Sequence, residues 1–392
     1  MLNKENDIFK LVRKVLIKFK YFYKKEKNVD ICSVKELKNI PFLSRDNFKN
    51  IRDYISLKDV FFTIMTSGSE EEKLFIYRNK KSYYAHLARQ IKIYRKAGVT
   101  SKDKFLNLLS YSIAGAARII DRALEEIGVS YIPVGSIKSN QHLRFAVKSI
   151  LQLQPTVIEG YVNEIYDVFL MLGKNHSIKK CILTGEFLSC EFKDKIQKMS
   201  GVEIYNNYGS MEFSGIAISE NNNDDYMRMY EDDIYIEVIK DNGELANIGK
   251  GQLVVTDLKN DAMPLIRYQL GDMVEIIKRG RKKYIKILGR TGDSILIDGE
   301  PFSKRILIER IRKIVSSPQF FISITKNHHN YQDKLAINIL KKDSGKCKQI
   351  EKFVRNNLRL SHIFQINFHN KEIPKTFTGK YRHIIDLRKD DQ

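Results

Sequence analysis

The sequence predicts an α/β protein with two unequal domains. Strand-like and helix-like segments alternate regularly between residues 60 and 215. After residue 226 the pattern changes to short strands joined by turns, and from residue 294 onward helices and strands are mixed. We therefore expect residues 1–289 to form a large domain with mostly parallel sheets and a barrel-like β subdomain. Residues 290–392 are expected to form a small α+β C-terminal domain.

The first pattern predicts a mostly parallel sheet that carries helices on both faces. Apolar runs predict strands at residues 60–65, 105–109, 129–134, 156–159, 181–184 and 202–205. Apolar residues at helical spacing predict helices at residues 81–97, 116–127, 141–153, 164–172 and 191–199. Ligands of such sheets bind beyond the carboxyl ends of the strands, so the loops that follow these strands are candidate binding loops.

Two other patterns occupy the rest of the chain. A D-N-G turn at residues 241–243 and an apolar run at residues 252–257 predict antiparallel strands after residue 226. In the C-terminal domain, the spacing predicts helices at residues 304–315 and 346–360 and strands at residues 320–325, 334–340 and 364–368. The first sixty residues are rich in lysine, and we expect them to be mostly helical and to pack on the large domain.

The composition is that of a basic globular protein. The chain has 68 lysines and arginines against 47 aspartates and glutamates, which gives a formal net charge of +21. This charge suits an anionic partner such as a nucleotide, coenzyme A, an acidic carrier protein or a nucleic acid. The lysines are spread along the chain without a nucleic-acid-binding motif, which argues against nucleic acid. A solvated, lysine-rich surface explains the charge equally well.

The sequence also bears on where the protein works. Charged residues interrupt the apolar positions of the first twenty residues, and no stretch reaches the roughly 18 uncharged apolar residues of a membrane span. The cysteines, Cys32, Cys181, Cys190 and Cys347, lack the paired spacing of a zinc site or a disulfide framework. We therefore expect a cytoplasmic protein without a membrane span, and the oligomeric state stays open.

Two short motifs that follow predicted strands have the composition of nucleotide-binding loops. Thr66, Ser67, Gly68 and Ser69 combine hydroxyls, backbone amides and a glycine that can surround phosphate oxygens. The segment Y-G-S-M-E at residues 208–212 offers an aromatic face for a base, a glycine for close approach and a carboxylate suited to Mg²⁺. Taken alone, the first is more often an ordinary turn, and the second is as often a packed tyrosine beside a surface glutamate.

Two single side chains carry further chemistry. Asp272 ends the segment R-Y-Q-L-G-D and could accept hydrogen bonds from both hydroxyls of a ribose. Lys380 follows a glycine in a loop with proline and threonine, from which its ammonium could reach a developing phosphoryl charge. Each has a plain structural alternative, because aspartate is a common turn residue after glycine and a tail lysine is usually solvated.

The order of these motifs resembles the adenylate-forming superfamily of acyl-coenzyme A synthetases and adenylation domains. The segments that carry the resemblance are P-L-I-R-Y-Q-L-G-D at residues 264–272, I-L-G-R-T-G-D at residues 287–293 and P-K-T-F-T-G-K-Y-R at residues 374–382. The stretch of residues 251–272 is most similar to the phenylacetate-coenzyme A ligase branch and its capsule-biosynthesis ligase and acyl-protein synthetase relatives. The resemblance extends from about residue 60 to the end of the sequence.

The resemblance implies that ATP activates a carboxylic acid to an acyl-adenylate with release of pyrophosphate. It assigns the ATP or AMP site to residues from five segments: Thr66, Ser67, Gly68, Ser69, Lys73, Gly185, Glu186, Asn207, Tyr208, Gly209, Ser210, Asp272 and Arg290. The loop that begins at Thr66 would hold the β- and γ-phosphates. Gly185 and Glu186 would enclose adenine together with Tyr208. The ribose would lie at Asp272, with help from Arg290.

The same resemblance assigns a metal site, a catalytic residue and a domain motion. Glu212 would bind Mg²⁺, and Lys380 would bridge the carboxylate and the α-phosphate. The C-terminal domain would be a mobile lid that rotates after adenylation, withdraws the lysine and presents another face for thioester formation. The acceptor would be the thiol of coenzyme A or the phosphopantetheine arm of a carrier protein.

In this fold the acyl pocket would be lined by loops of the large domain, with Tyr111, Ser112, Gly160, Tyr161 and Asn206 as candidates. Near the first two residues the sequence has no acidic side chain of the kind that amino-acid-activating domains use to pair the α-ammonium group. We therefore expect the substrate to be a small-molecule aryl or alkyl carboxylate rather than an amino acid.

Three positions depart from the family pattern. Three glutamates at residues 70–72 precede Lys73, and acidic side chains repel a polyphosphate unless Mg²⁺ intervenes or they turn outward. Met211 replaces a threonine that usually contacts phosphate, and Gly292 stands where the hinge usually has aspartate. The metal, ribose and lysine positions are intact, which favours a working enzyme. The alternative is a non-catalytic or divergent nucleotide-binding member that acts as a scaffold in a biosynthetic assembly.

Overall fold

The structure of the chain is a computed structural model. It describes residues 40–48, 55, 57–66, 74–113, 116–220, 224–297, 300–315, 318–326, 332–358, 364–369, 373–376 and 379–388. Most of the first sixty residues, for which the sequence predicts helices, lie outside these ranges, as do residues 67–73 of the predicted phosphate loop. No helix within the described ranges is long and apolar enough to cross a membrane.

A twelve-stranded mixed sheet contains the strands between residues 104 and 290. It follows a short antiparallel hairpin of β1 (Phe62–Met65) and β2 (Phe75–Arg78). The strands of the large sheet are β3 (Lys104–Asn107), β4 (Ser130–Pro133), β5 (Val157–Tyr161), β6 (Lys180–Thr184), β7 (Glu203–Ser210), β8 (Ser214–Ser219), β9 (Met227–Met229), β10 (Ile234–Ile239), β11 (Leu245–Ala246), β12 (Gly249–Asp257), β13 (Tyr268–Arg279) and β14 (Lys282–Arg290). Their order across the sheet is β11-β10-β12-β13-β14-β9-β8-β7-β6-β5-β3-β4.

One helix precedes β3, and four more connect the parallel strands β3, β4, β5, β6 and β7, as the alternation of segments predicts. These helices are α1 (Lys80–Lys96), α2 (Ala117–Ile127), α3 (Asn140–Leu153), α4 (Val162–Leu172) and α5 (Cys190–Ser200). Asn79, Ser139 and Ser189 begin α1, α3 and α5, because each side chain accepts a hydrogen bond from a backbone N–H of the first turn. The predicted bounds agree with these elements to within about two residues at most ends.

Apolar cores lie on both faces of the parallel strands. Side chains of a strand alternate between faces, so Phe105 and Ile182 pack with α1 and α2 on one face. Their neighbours Leu106 and Leu183 pack with α3, α4 and α5 on the other face. This confirms a sheet that is covered by helices on both sides, which is why its strands read as continuous apolar runs in the sequence.

The strands after residue 226 pair antiparallel, as the turn signals predict, and they continue the large sheet. The D-N-G turn lies between β10 and β11, and Gly243 takes the left-handed conformation that such a turn needs. Their apolar side chains form a third core with the hairpin of β1 and β2. The described strands pair in one open order, so the barrel-like shape of this region stays a prediction.

The C-terminal part of the chain has a sheet and a core of its own. The hairpin of β15 (Ser294–Ile297) and β16 (Glu300–Ser303) leads into α6 (Lys304–Ile314), and α7 (Cys347–Leu358) follows a short 3-10 turn. Four strands form the sheet in the order β19-β18-β17-β20: β17 (Phe320–Lys326), β18 (Asp333–Leu340), β19 (Phe364–His369) and β20 (Ile384–Asp386). This is the mixture of helices and strands that the sequence predicts after residue 294.

Candidate active site

A cavity of about 1090 Å³ lies at the carboxyl ends of β5, β6 and β7, between the large sheet and the C-terminal part of the chain. Its wall brings together most of the site residues that the sequence predicts: Thr66, Tyr161, Gly185, Glu186, Asn206, Asn207, Tyr208, Gly209, Ser210, Glu212, Asp272, Arg290 and Lys380. Parallel strands end at the same edge of a sheet, and this common edge collects loops that are far apart in the sequence.

Some predicted residues lie elsewhere. Residues 67–73, with the predicted phosphate ligands Ser67, Gly68, Ser69 and Lys73, are outside the described residues. Tyr111, Ser112 and Gly160 are described, but they do not line this cavity. Their assignment to the acyl pocket therefore stays a prediction that the cavity does not support.

Strand alternation explains why one predicted acyl-pocket residue faces away from the cavity. Tyr161 lines the cavity, and its neighbour Gly160 faces the opposite side of β5, where an added Cβ atom would lie 3.2 Å from Ile165 and Leu108. Tyr111 is 46% exposed and donates a hydrogen bond of 3.0 Å to Asp121. The side chain that shares the cavity face of β5 with Tyr161 is Glu159, which the sequence prediction does not include.

Asp272 is held between Tyr208 and Arg290. The Tyr208 hydroxyl donates a hydrogen bond of 2.6 Å to Asp272 Oδ2, and Arg290 Nε lies 3.5 Å from Asp272 Oδ1. The register of β13 and β14 places Asp272 directly opposite Arg290. Burial raises the pKa of Asp272, and the charge of Arg290 opposes this rise. The carboxylate is thus oriented at the cavity wall beside an aromatic ring.

Glu212 lies in the turn between β7 and β8. The buried Arg78 fixes this turn by donating hydrogen bonds of 2.6 and 2.9 Å to the backbone carbonyls of Met211 and Glu212. Tyr268 donates a hydrogen bond of 3.2 Å to Glu212 Oε1. Gly209 permits the close approach of β7 and β8, since a Cβ atom there would lie 2.1 Å from the carbonyl oxygen of Ser214.

The acidic residues at the cavity suit Mg²⁺ only if a substrate supplies further ligands. Among the described residues no group of three or more His, Cys, Asp or Glu side chains could hold a metal by itself. Mg²⁺ is commonly bound through one or two carboxylates together with substrate phosphates. Glu212, a hard oxygen donor at the cavity wall, fits this mode of binding.

Lys380 reaches the cavity from the C-terminal part of the chain. Its ammonium donates a hydrogen bond of 2.5 Å to the carbonyl oxygen of Gly185 and lies 4.9 Å from the centre of the Tyr161 ring. Burial lowers the pKa of this ammonium, while the nearby carboxylates of Glu186 and Glu164 favour the charged form. The position of Lys380 beside the end of β6 agrees with the expectation that its charge enters the binding cavity.

Close contacts hold the loop that carries Lys380 against α4. The Tyr381 hydroxyl donates a hydrogen bond to Asp167, and Lys375 Nζ donates one of 2.6 Å to the carbonyl oxygen of Ile137. Gly379 has φ +101°, and a Cβ atom at this residue would lie 2.6 Å from Glu164 Oε1. Only glycine combines this backbone conformation with this close approach.

Several polar residues at the cavity belong to no sequence motif that would identify them as site residues. Glu186 accepts hydrogen bonds of 3.0 and 3.1 Å from the backbone and side-chain amides of Asn163. The Asn163 side chain lies 3.4 Å from His383 Nε2, and Arg312 lies 3.5 Å from the same nitrogen. Glu186 is a predicted site residue, but Asn163, His383 and Arg312 each read locally as ordinary polar residues, so only their contacts at the cavity reveal them.

His383 gives a testable dependence of stability on pH. Burial, reinforced by the nearby charge of Arg312, lowers the pKa of His383 from 6.5 to about 3. The unfolded histidine takes up a proton near pH 6.5 and the folded one does not, so stability is complete above that pH and falls as the pH decreases toward 3. Between pH 7.5 and 5.0 we expect His383 to account for a loss of about 2 kcal/mol in the free energy of unfolding.

Urea unfolding at these two pH values measures this effect. His383→Gln is expected to reduce the loss of stability on acidification. His142→Gln, on the exposed surface of α3, is the matched control and is expected to retain the wild-type loss. Equal pH dependence in His383→Gln and the wild-type protein would contradict the assignment.

The chain is similar to known proteins over most of its length. No protein-family model matches it. It is 23% identical over 315 residues to the phenylacetate-coenzyme A ligase of Escherichia coli (strain K12), covering 75% of this chain and 71% of that protein. It is 23% identical over 392 residues to the phenylacetate-coenzyme A ligase of Pseudomonas putida, covering 92% of this chain and 86% of that protein.

Solved structures share the fold. A 2-hydroxyisobutyryl-CoA ligase in the postadenylation state, in complex with 2-HIB-AMP, superposes with a TM-score of 0.80 at 16% identity, covering 98% of this chain and 89% of that one. The same ligase in the thioesterification state superposes with a TM-score of 0.64 at 16% identity, covering 99% and 90% of the two chains. These similarities confirm the resemblance to the adenylate-forming superfamily, and to its phenylacetate-coenzyme A ligase-like branch, that the ordered motifs indicate.

Proposed function

We propose that this protein is an ATP-dependent ligase that converts a carboxylic acid to an acyl-adenylate and then transfers the acyl group to a thiol. The observation that carries this proposal is the position of the Lys380 ammonium, 2.5 Å from the carbonyl oxygen of Gly185 in the cavity that Asp272 and Glu212 also line. A cation within a partly desolvated cavity stabilises negative charge that develops during a reaction.

In the first step, a carboxylate oxygen of the acid attacks the α-phosphorus of ATP. The bond between the α-phosphorus and the bridging oxygen breaks, and pyrophosphate leaves with the electron pair. The ammonium of Lys380 orients the two anionic reactants and stabilises the charge that gathers between them. Glu212 would hold Mg²⁺ against the phosphates, where the metal would neutralise part of the phosphate charge.

The nucleotide is proposed to lie along the wall formed by Tyr208, Asp272 and Arg290. Glu186 and the backbone of Gly185 would contact the adenine, and Asp272 would accept hydrogen bonds from the ribose hydroxyls. The hydrogen bond from Tyr208 and the ion pair with Arg290 support this role, because they orient the Asp272 carboxylate before the nucleotide arrives.

Replacement of Asp272 with alanine tests the nucleotide site. We expect the dissociation constant of ATP, measured by calorimetry, to rise by about tenfold or more, because the hydrogen bonds of a carboxylate to the ribose are lost. Asp241→Ala, in the exposed turn after β10, is the matched control and is expected to bind ATP as the wild-type protein does. Unchanged ATP affinity in Asp272→Ala would remove this residue from the proposed site.

In the second step, the lysine must leave its position so that a thiol can reach the acyl group. The thiol sulfur would attack the acyl carbon, the bond between that carbon and the AMP oxygen would break, and AMP would leave. We propose that residues 290–392 move as one domain between the steps. Two findings support this: the C-terminal part has its own apolar core, and the fold is more similar to the postadenylation than to the thioesterification state of one ligase. Coenzyme A is the proposed acceptor, and a carrier protein is the alternative.

A pyrophosphate-release assay over aryl, fatty and amino acids, with and without coenzyme A, tests the activity. We expect release that depends on one class of acid, and a thioester product when coenzyme A is present. The alternative of a nucleotide-binding scaffold is favoured by Met211, which lies on the cavity wall where the family usually has a threonine. ATP binding without turnover of any acid would support the scaffold and contradict the ligase.

A further inference from the structure

A pair of buried polar side chains lies on the cavity wall, and one of them, Asn207, is also among the residues that the resemblance assigns to the nucleotide. Glu159 and Asn207 are 0% and 5% exposed, and both line the cavity. The Tyr94 hydroxyl donates a hydrogen bond of 2.5 Å to Glu159 Oε2, whereas Asn207 Nδ2 lies 3.5 Å from Glu159 Oε1. One carboxyl oxygen of Glu159 thus accepts a short hydrogen bond, and the other has only a long contact with Asn207.

The hydrogen-bonding capacity of this pair is incomplete. Asn207 Oδ1 is buried, and it has no hydrogen-bond partner within the described residues. A buried polar atom without a partner costs free energy, so such atoms in native proteins usually meet a ligand, an ion or a water molecule. A ligand that donates a hydrogen bond would satisfy Asn207 Oδ1 and the weakly bonded Glu159 Oε1 together.

The position of Glu159 relative to Lys380 indicates which part of a ligand it would meet. Glu159 precedes Tyr161 by two residues on the same face of β5, so it lies about 7 Å further into the sheet along the strand. The Lys380 ammonium lies 4.9 Å from the Tyr161 ring. If Lys380 marks the reacting carboxylate, Glu159 faces the end of the acyl group that is remote from the reaction. The backbone of Asn207 is level with Tyr161 across the sheet, and its side-chain amide lies 3.5 Å from Glu159 Oε1.

Four apolar side chains lie on the cavity wall together with this pair. Leu109, Ala116, Ile119 and Ile120 also line the cavity, and the buried Gln90 adds a third polar side chain. An acyl group bound here would therefore have an apolar body with a polar substituent. Burial raises the pKa of Glu159 to about 7, so the carboxyl can be charged or neutral at physiological pH.

We propose that the substrate is an aryl or alkyl carboxylic acid with a hydrogen-bond-donating substituent, a hydroxyl or an ammonium group, which Glu159 and Asn207 bind. This inference rests on the proposed function and narrows its substrate class. The sequence shows no acidic residue near Tyr111, and the structure supplies one from β5 instead. A pocket with buried polar groups discriminates strongly against an analogue that leaves them unpaired.

Matched acids test the proposal with the unaltered protein. Pyrophosphate release would be compared among phenylacetate, 3- and 4-hydroxyphenylacetate and 4-(aminomethyl)phenylacetate, and among butyrate, 4-hydroxybutyrate and 4-aminobutyrate. We expect at least one substituted acid to exceed its parent by about 10- to 100-fold in kcat/KM. In each series, the hydroxy acid and the amino acid distinguish a hydroxyl donor from an ammonium donor.

A variant then assigns the preference to Glu159. In Glu159→Gln an amide replaces the carboxyl at nearly constant volume, and the ratio of kcat/KM between the substituted acid and its parent is expected to fall by about tenfold for an ammonium and by a few-fold for a hydroxyl. ATP affinity measured by calorimetry shows that the variant is folded. An unchanged ratio in a folded variant overturns the assignment to Glu159.

The two levels of the proposal fail in different ways. Release of pyrophosphate that favours the unsubstituted parents in both series overturns this inference and leaves the ligase intact. Absence of release with every acid, while ATP still binds, overturns the proposed function and this inference with it. The comparison of acids on the wild-type protein tests the proposed substrate class even if Glu159→Gln does not fold.

Discussion

Replacement of Lys380 with alanine is expected to lower carboxylate-dependent ATP–pyrophosphate exchange by about 10²- to 10³-fold. The ammonium is the charged group that enters the cavity from the C-terminal loop, where it lies at the carbonyl oxygen of Gly185. Alanine removes the charge that offsets the repulsion between the carboxylate and the α-phosphate. ATP binding, measured by calorimetry, is expected to persist because the walls of the cavity that carry Tyr208 and Asp272 remain in place.

A second cation of the same loop provides the control. Arg382 lies two residues further along and is exposed to solvent. Arg382→Ala removes one positive charge from the same surface without changing the cavity, so its exchange rate is expected to stay near that of the wild-type protein. Exchange that survives in Lys380→Ala, or that falls equally in both variants, would refute the catalytic role of Lys380.

Replacement of Gly379 with alanine is expected to lower the same exchange rate by about 10- to 100-fold while Lys380 is still present. The Cβ atom of alanine would lie 2.6 Å from Glu164 Oε1 and 3.2 Å from Ser136 Cβ, and the backbone has φ +101°. Glu164 is buried and its Oε1 accepts a hydrogen bond of 3.0 Å from the backbone N–H of Ile137, so we expect the loop rather than the carboxylate to move. A displacement of about 1 Å in a positioned group can reduce a rate by about 10²-fold. ATP affinity is expected to change little.

The control for Gly379→Ala is a glycine with a similar backbone conformation and free space around it. Gly243 has φ +79°, and no atom lies within 4 Å of an added Cβ. Gly243→Ala imposes a comparable backbone strain in the turn after β10, and we expect it to leave the exchange rate unchanged. An exchange rate that stays at the wild-type level in Gly379→Ala, or that falls equally in both variants, would contradict the proposed docking of the loop.

Local sequence patterns are sufficient to predict the parallel part of the sheet. The strands β3, β5 and β6 are buried on both faces and read as continuous apolar runs, and the helices between them read as apolar residues at helical spacing. The predicted bounds are close because each of these signals lies within or next to the element it marks. The antiparallel strands after residue 226 follow from their turn signals, whereas the closure of a barrel depends on contacts between distant strands and stays a prediction.

The candidate site, like the fold, is predicted by the sequence only in part. Loops after parallel strands meet at one edge of the sheet, so the pattern of segments predicts that the loop near Tyr208 is a binding loop. The resemblance to the adenylate-forming superfamily adds Asp272 and Lys380, and all three residues line the cavity. Of the acyl-pocket candidates, which stay predictions, Tyr161 and Asn206 line the cavity, whereas Tyr111, Ser112 and Gly160 do not. Gly160 is among them, but strand alternation turns it away from the cavity and places Glu159 there instead.

The resemblance to the superfamily, the parallel sheet and the segments proposed for the nucleotide and the lysine all follow from the sequence, because each depends on local periodicity or on motifs of residues close together in the chain. Three other features emerge only when the chain is folded: Glu159 faces Asn207, Glu164 leaves room for no more than a glycine at residue 379, and His383 is buried beside Asn163. The physical reason is that the cost of burying a polar group depends on which distant partner meets it, and that partner is chosen by the packing of the whole chain.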